Sequence, residues 1–161
     1  MRTGNGTTRI LAIRMVAIAG LLSVCLTGCS TFKYVNQTPL VASDAYTVEQ
    51  DKTVKVTLAK VPQLAKVGGS AAIMDPKLPE PVIIARTGEQ DYVVACSKCP
   101  HRAKALSYDH ENKRFECSSL GSGKYGLDGK KISGPGKGCL KLYPVQIANG
   151  VLTFQVSRPK E

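Results

Sequence analysis

No tryptophan occurs among the 161 residues, and the aromatics are only six Tyr and three Phe. Acids are scarce as well: 12 Asp and Glu stand against 22 Lys and Arg, with two His in the whole chain. Acid–base catalysis therefore has little to work with. No Gly-x-Ser-x-Gly run is present, which removes the strand-to-helix nucleophile of the hydrolases. No phosphate loop and no Gly-x-Gly-x-x-Gly opening a helix is present, which removes the common nucleotide folds. No period of 20–50 residues repeats, so a solenoid is excluded, and no stretch is simple enough to be low-complexity. The basic residues are dispersed and lack the aromatic interleaving of a single-strand nucleic-acid binder.

What is present begins with a leader. Arg2, Arg9 and Arg14 make a positive start, and Met15 to Leu26 follow as an apolar run. That run is too short to cross a hydrocarbon core of about 30 Å. It ends in Leu26-Thr27-Gly28-Cys29, which resembles the bacterial lipobox, where a Cys after small residues is acylated and becomes the new N-terminus. The resemblance implies a signal peptide over residues 1–28 and lipid on Cys29. Ser30 follows, and by the sorting rule of lipoproteins a residue other than Asp there implies the outer membrane, facing the periplasm. Residues 29–50 are polar and without period, and read as a flexible tether. The domain proper is expected over 51–161.

Removing the leader takes three Arg and no acid, so the net charge falls from +10 to +7. A basic surface favours anionic partners, and export excludes nucleic acid in practice. The cysteines change too. Cys25 leaves with the leader and Cys29 carries lipid, so Cys96, Cys99, Cys117 and Cys139 remain. In an oxidising compartment four thiols bind metal or pair as disulfides. Three of them, with His101, fall in or beside one stretch, Cys96 to Ser122. Soft ligands that dense point to metal chemistry, disulfide chemistry, or both.

From Thr53 the chain alternates, with Val54, Val56 and Leu58 on one side. This predicts a half-buried strand that Pro62 ends. Val61 to Lys66 has room for one helical turn. Ala71 to Met74 follows the Gly68-Gly69 turn as a second strand. The three prolines between Asp75 and Pro81 force a loop. Val82 to Arg86 and Tyr92 to Ala95 form a hairpin, and so do Leu106 to Tyr108 and Arg114 to Glu116, with a polar tip at 109–113 that leaves His110 in solvent. Leu142 to Ile147 and Val151 to Val156 flank Asn149-Gly150, the strongest short hairpin signal. The expectation is an all-β fold of about eight strands with no helix of two turns.

With these elements in place, Lys55 to Val156 resembles the Rieske iron–sulfur domain. Members of that family carry Cys-x-His in one loop and Cys-x-x-His in a second, two Cys on one iron and two His on the other. Cys99-Pro100-His101 supplies the first pair. Ala105-Leu106-Ser107-Tyr108-Asp109 then stands where the family has Pro-Leu-Ser-Tyr-Asp. Phe115-Glu116-Cys117 enters loop two, and Gly121-Ser122, Tyr125 and Leu127-Asp128-Gly129 follow. Gly134-Pro135-Gly136 matches the Gly-Pro-Ala loop that packs over the cluster.

There are departures. Leu120 stands at the second His, Ala103 stands where Gly is usual, and Lys104 stands where some members have a disulfide Cys. One extra residue separates Ser122 from Tyr125, and Cys96 and Cys139 are additions. Leu cannot bind iron. Three outcomes stay open. A 2Fe-2S cluster sits on Cys99, His101 and Cys117, with Cys139 or Cys96 as fourth ligand. Or no cluster forms and disulfides take the thiols, Cys99–Cys117 and Cys96–Cys139. Or a single ion such as zinc is held.

The resemblance implies a lipid-anchored one-electron carrier, an electron-transfer subunit more than a stand-alone catalyst. The membrane is reached through the lipid on Cys29. Lys98, Arg102, Lys104, Lys124, Lys137 and Lys141 surround the ligand loops and suit an acidic redox protein, such as a cytochrome or an oxidoreductase subunit. The alternative is a cluster-less Rieske-like module, stabilised by disulfides and serving binding or assembly.

Overall fold

The computed structural model describes residues 38–119, 122–135 and 137–157. The leader, Cys29 and Leu120 lie outside these. Among the described residues no helix is long and apolar enough to cross a membrane. The strands are β1 (Tyr46–Val48), β2 (Thr53–Thr57), β3 (Ser70–Ile73), β4 (Val82–Arg86), β5 (Tyr92–Cys96), β6 (Leu106–Asp109), β7 (Arg114–Cys117), β8 (Lys124–Gly126), β9 (Lys131–Ser133), β10 (Leu142–Tyr143), β11 (Val145–Ala148) and β12 (Val151–Gln155). Only single 3₁₀ turns interrupt them, at Ser43–Ala45, Leu58–Lys60 and Pro62–Leu64. The fold is all-β, as expected.

Three antiparallel sheets are built, in the orders β1-β2-β12-β11, β10-β5-β4-β3 and β6-β7-β8-β9. The middle sheet is buried on both faces. On β4 and β5, Val82, Ile84, Val94 and Cys96 point into a first core shared with Val54, Val56, Leu152 and Phe154. The alternate residues Ile83, Ala85 and Ala95 point into a second core with Leu106, Phe115 and Tyr125. That is why these strands read as continuous apolar runs rather than as alternation. The second core also contains Cys99 and Cys117, and so it carries the ligand loops.

Three expectations are corrected. The segment read as tether through Gln50 is in part domain. Val41 and Ala45 are buried, and β1 pairs with β2 from Tyr46↔Val56 to Val48↔Val54. Its three residues are too few to show a period, and long-range pairing holds them. The strand expected over Leu142 to Ile147 is divided at Pro144. Without an N–H, Pro144 breaks the ladder, and β10 and β11 belong to different sheets. The strand at Thr53 ends before Leu58, which opens a 3₁₀ turn. The Asn149-Gly150 hairpin is as expected, with φ of 51° and 75° and Val151 facing Ala148.

Candidate metal centre

Loop one leaves β5 and is closed on itself. Cys99 N–H donates to the Lys104 carbonyl and Ala103 N–H to the Cys99 carbonyl, each at 2.8 Å. The tight closure drives Ala103 to φ 51°, a left-handed conformation that explains the usual Gly there. Loop two leaves β7 and closes in the same manner, Cys117 N–H donating to the Gly123 carbonyl at 2.9 Å. Ser118 N–H reaches the Ala105 carbonyl at 3.1 Å and ties the loops together.

The third loop, 134–141, leans on both. A Cβ on Gly134 would stand 2.6 Å from the Ser122 carbonyl oxygen and 2.7 Å from the Gly123 Cα, so this approach is open to Gly alone. A Cβ on Gly138 would meet the Pro100 Cβ of loop one at 3.8 Å, an ordinary contact. Gly134 thus packs directly on loop two.

Three ligand atoms of loops one and two converge. One each from Cys99, His101 and Cys117 lie within 4.8 Å of one another. The Cys99 sulfur is 2.7 Å from His101 Nδ1. Both thiols are buried, while His101 is half-buried. Their surroundings differ. Burial pushes the Cys99 thiol up, with Cys117 adding to it and the Tyr125 hydroxyl, 3.5 Å away, opposing it. Burial acts on Cys117 as well, but there the Ser119 hydroxyl, the Ser119 N–H and Cys99 outweigh it and hold the thiol down. Cys117 is therefore the first of the pair to ionise. Burial and the Cys99 bond push the Tyr125 phenol up, so it stays a donor.

The other cysteines stand apart from this group. Cys96 faces the first core, across the middle sheet from Cys99, with its sulfur 3.4 Å from Glu80 Oε2. Burial, with Glu80 beside it, pushes its thiol up to about 11. Cys139 is exposed, and its sulfur is not among the three. No disulfide joins these four cysteines. His110 is not in solvent as expected: its Nδ1 is 3.0 Å from the Tyr108 hydroxyl, and its ring packs on Gly68.

The sequence reading missed Ser119. Its Oγ is 3.1 Å from the Cys117 sulfur and 3.4 Å from His101 Nε2. The signal was the spacing, since Cys117-x-Ser119 repeats Cys99-x-His101. Glu80 was missed as well. Lys141 Nζ donates to its Oε1 at 2.7 Å, the Tyr143 hydroxyl donates to the same oxygen, and Lys141 also reaches the Ser157 carbonyl. This knot joins the end of loop three to the strand that leads into loop one. Of the six cations expected around the site, Lys124 pairs with Glu116 and Lys141 with Glu80. Lys98, Arg102, Lys104 and Lys137 are exposed and take part in no ion pair among the described residues. Residues 97–105 and 133–141 contain no acid.

Two thiols and an imidazole are donors that iron–sulfur centres accept, and the donor types fit at three positions. The fourth is residue 120, where Leu has no donor atom.

The family model described as the Rieske [2Fe-2S] domain matches residues 43–144. Among solved structures, the fold is similar to the ferredoxin of carbazole 1,9a-dioxygenase from Nocardioides aromaticivorans IC177. That match has 17% identity and a TM-score of 0.51, and covers 63% of this chain and 94% of that one. It is also similar to a chain in the complex of reduced oxygenase and oxidised ferredoxin in carbazole 1,9a-dioxygenase. There the identity is 20% and the TM-score 0.56, over 70% of this chain and all of that one. A search among curated proteins returns no match.

Proposed function

This chain belongs to the Rieske [2Fe-2S] domain family, and from that premise we propose that it is an exported, lipid-anchored iron–sulfur protein that hands single electrons to a larger redox complex. The observation that carries the reading is the convergence of Cys99, His101 and Cys117. A 2Fe-2S cluster held there would supply one-electron transfer. The chain's own residues bury the thiols, keep Cys117 easy to ionise, and aim the Tyr125 hydroxyl at the Cys99 sulfur. Substrate chemistry belongs to the partner.

Lys98, Arg102, Lys104 and Lys137 set the character of that partner. Four exposed cations that take part in no ion pair among the described residues, on loops one and three, suit an acidic face on a redox protein, a cytochrome or an oxidoreductase subunit. The neighbouring ferredoxin, solved in complex with its oxygenase, supports a redox partner in general. The lipobox-like Leu26-Thr27-Gly28-Cys29 supports an outer-membrane anchor through Cys29.

Iron and acid-labile sulfide per chain, on protein purified anaerobically with its leader, test the reading, together with an EPR spectrum after dithionite. Close to two of each, with a reduced-cluster signal, is the expected result. A second reading rests on the same geometry. The Cys99 and Cys117 sulfurs lie within 4.8 Å, and a modest movement would let them close as a disulfide of about 2.05 Å. The protein would then be a cluster-less module serving binding or assembly. No iron, no sulfide and no free thiol at these two positions would favour it and refute the carrier.

A further inference from the structure

We propose that the domain edge bearing Leu40 and Met74 lies on the lipid bilayer, a contact beside the anchor that depends on the lipid-anchored reading above. Among the described residues these are two of the five large apolar side chains left exposed, at 56% and 66%. A single exposed apolar residue is ordinary. These two are neighbours. Leu40 is bridged in parallel to Ala72, with Ala72 N–H donating to the Pro39 carbonyl at 2.8 Å and Val41 N–H to the Ala72 carbonyl at 2.9 Å. Met74 stands two residues beyond Ala72, directly after β3. Adjacent strands lie about 4.8 Å apart and two residues advance about 6.6 Å, so the two Cα atoms are roughly 8 Å apart. The adjoining residues Val41 and Ile73 are buried in the first core, and Leu40 and Met74 are left outside it.

The path of the chain favours lipid as the occupant. Thr38 is fixed to the domain by its hydroxyl, which donates to the Leu106 carbonyl at 3.2 Å. Nine residue steps separate Thr38 from Cys29. They reach at most about 32 Å, so lipid on Cys29 holds the Leu40 edge near the bilayer. A tether this short keeps the local lipid concentration in the mM range, and two apolar side chains then suffice for a contact that a free domain would not make. Lys77 follows Met74 by three residues, is exposed, and takes part in no ion pair among the described residues. It offers a cation to anionic headgroups.

The test uses the full chain, expressed with its leader and purified with lipid on Cys29. It is placed in nanodiscs of phosphatidylethanolamine and phosphatidylglycerol. The protein has no Trp, so one introduced Trp reports alone. Leu40→Trp and Met74→Trp should be quenched by brominated acyl chains and shift their emission to the blue. Ile132→Trp and Ile147→Trp, at exposed positions of β9 and β11 in the other two sheets, should do neither.

A second measurement keeps the native side chain. Met1 and Met15 leave with the leader, so Met74 is the one Met of the anchored chain. Peroxide converts an accessible Met to its sulfoxide. With lipid at an effective mM concentration and an intrinsic affinity of about 0.1 mM, the bilayer should slow that oxidation roughly tenfold relative to Leu40→Asp in the same discs.

Intact mass, which reads acylation of Cys29, separates the outcomes. An acylated chain whose four Trp variants are quenched alike, or not at all, and whose Met74 oxidises as fast as in Leu40→Asp, overturns the contact while the anchor stands. A chain without lipid overturns both. Protection of Met74 that rises with protein concentration in detergent, without discs, gives the edge to a second copy and overturns the lipid contact. The Trp variants decide the matter should Leu40→Asp fail to fold.

Discussion

Replacing Glu80 with Gln removes one charge from the knot that joins the end of loop three to β5. Glu80 accepts from Lys141 at 2.7 Å and from Tyr143, and it faces the Cys96 thiol at 3.4 Å. Its side chain is 16% exposed and that of Lys141 is 29%, so the pair is neither a surface ion pair nor a dry one. Hydrogen bonds to a charged group contribute about 1.5–3 kcal/mol each, and rehydration of Lys141 offsets part of the loss. Gln keeps an acceptor oxygen. The expected loss is therefore about 2 kcal/mol, a fall in Tm of roughly 8 °C for a domain of this size. Ala leaves the buried Tyr143 hydroxyl without an acceptor and should cost about 3–5 kcal/mol.

The pH dependence has a definite sign. Burial opposes the Glu80 charge, but the bonds from Lys141, Tyr143 and Cys96 outweigh it and hold the carboxyl below its ordinary value. Its contribution is complete above the unfolded value, about 4.3, and is lost as the pH falls through the lower folded value. Urea unfolding of the wild-type chain and of Glu80→Gln, from pH 7 to pH 3, reads this directly. The gap should be widest near pH 7 and should close below about pH 4. A gap under about 0.5 kcal/mol at pH 7, or one that persists at pH 3, would falsify the assignment of a charged, hydrogen-bonded Glu80.

Four further outcomes are expected. Gly134→Ala places a Cβ 2.6 Å from the Ser122 carbonyl oxygen at φ 95°; it should cost roughly 2 kcal/mol or more in urea unfolding, and a neutral result would mean the loops can part freely. Ala103→Gly relieves a left-handed residue at φ 51° and should stabilise by about 1 kcal/mol, whereas a loss would show that the closure of loop one is not strained. In iron-free, reduced protein at pH 7.5, iodoacetamide should label exposed Cys139 first and Cys96 last, since burial pushes the Cys96 thiol up to about 11; peptide mass spectrometry should find Cys96 slower by roughly a hundredfold, and equal rates would place it outside the core. Reversing Lys98, Arg102, Lys104 and Lys137 to Glu should slow electron transfer with an acidic redox protein by about 10–100-fold at low salt; an unchanged rate and salt dependence would remove these loops from the docking face.

The parts of the fold that local residues decide were legible in the sequence. Val82–Arg86, Tyr92–Cys96 and the Asn149-Gly150 hairpin stand where the pattern puts them. The parts that need a distant partner were not. β1 is a strand because β2 lies beside it, and nothing within Tyr46, Thr47 and Val48 announces that. The division of the last strands at Pro144 was readable, since a missing N–H is a property of the residue itself, but the apolar alternation on either side masked it. Glu80 lies in a proline-rich loop whose burial comes from Tyr143 and Lys141, both about 60 residues away, beyond the reach of any local pattern.

The site shows the same division between chain distance and face. Cys96-x-x-Cys99 looks like a ligand pair when only spacing is counted. Yet Cys96 shares its face of the middle sheet with Val94 and Val82, whereas Cys99 lies with Ala95 and Ile83 on the other. Strand parity turns Cys96 into the first core, because successive side chains leave a strand on opposite faces. Cys99, beyond the end of β5, is free of that alternation and falls in loop one. Cys99, His101 and Cys117 were legible because each sits in a short closed loop, where spacing does translate into proximity. Ser119 was overlooked for the converse reason. The family pattern puts a His at position 120, not 119, and serine is too common a residue to carry a signal of its own. Once loop two closes from Cys117 N–H to the Gly123 carbonyl, the residue two beyond Cys117 faces its sulfur. His101 stands in the same relation to Cys99 in loop one. Two loops closed alike present the same position to the centre, and in loop two that position is occupied by a hydroxyl.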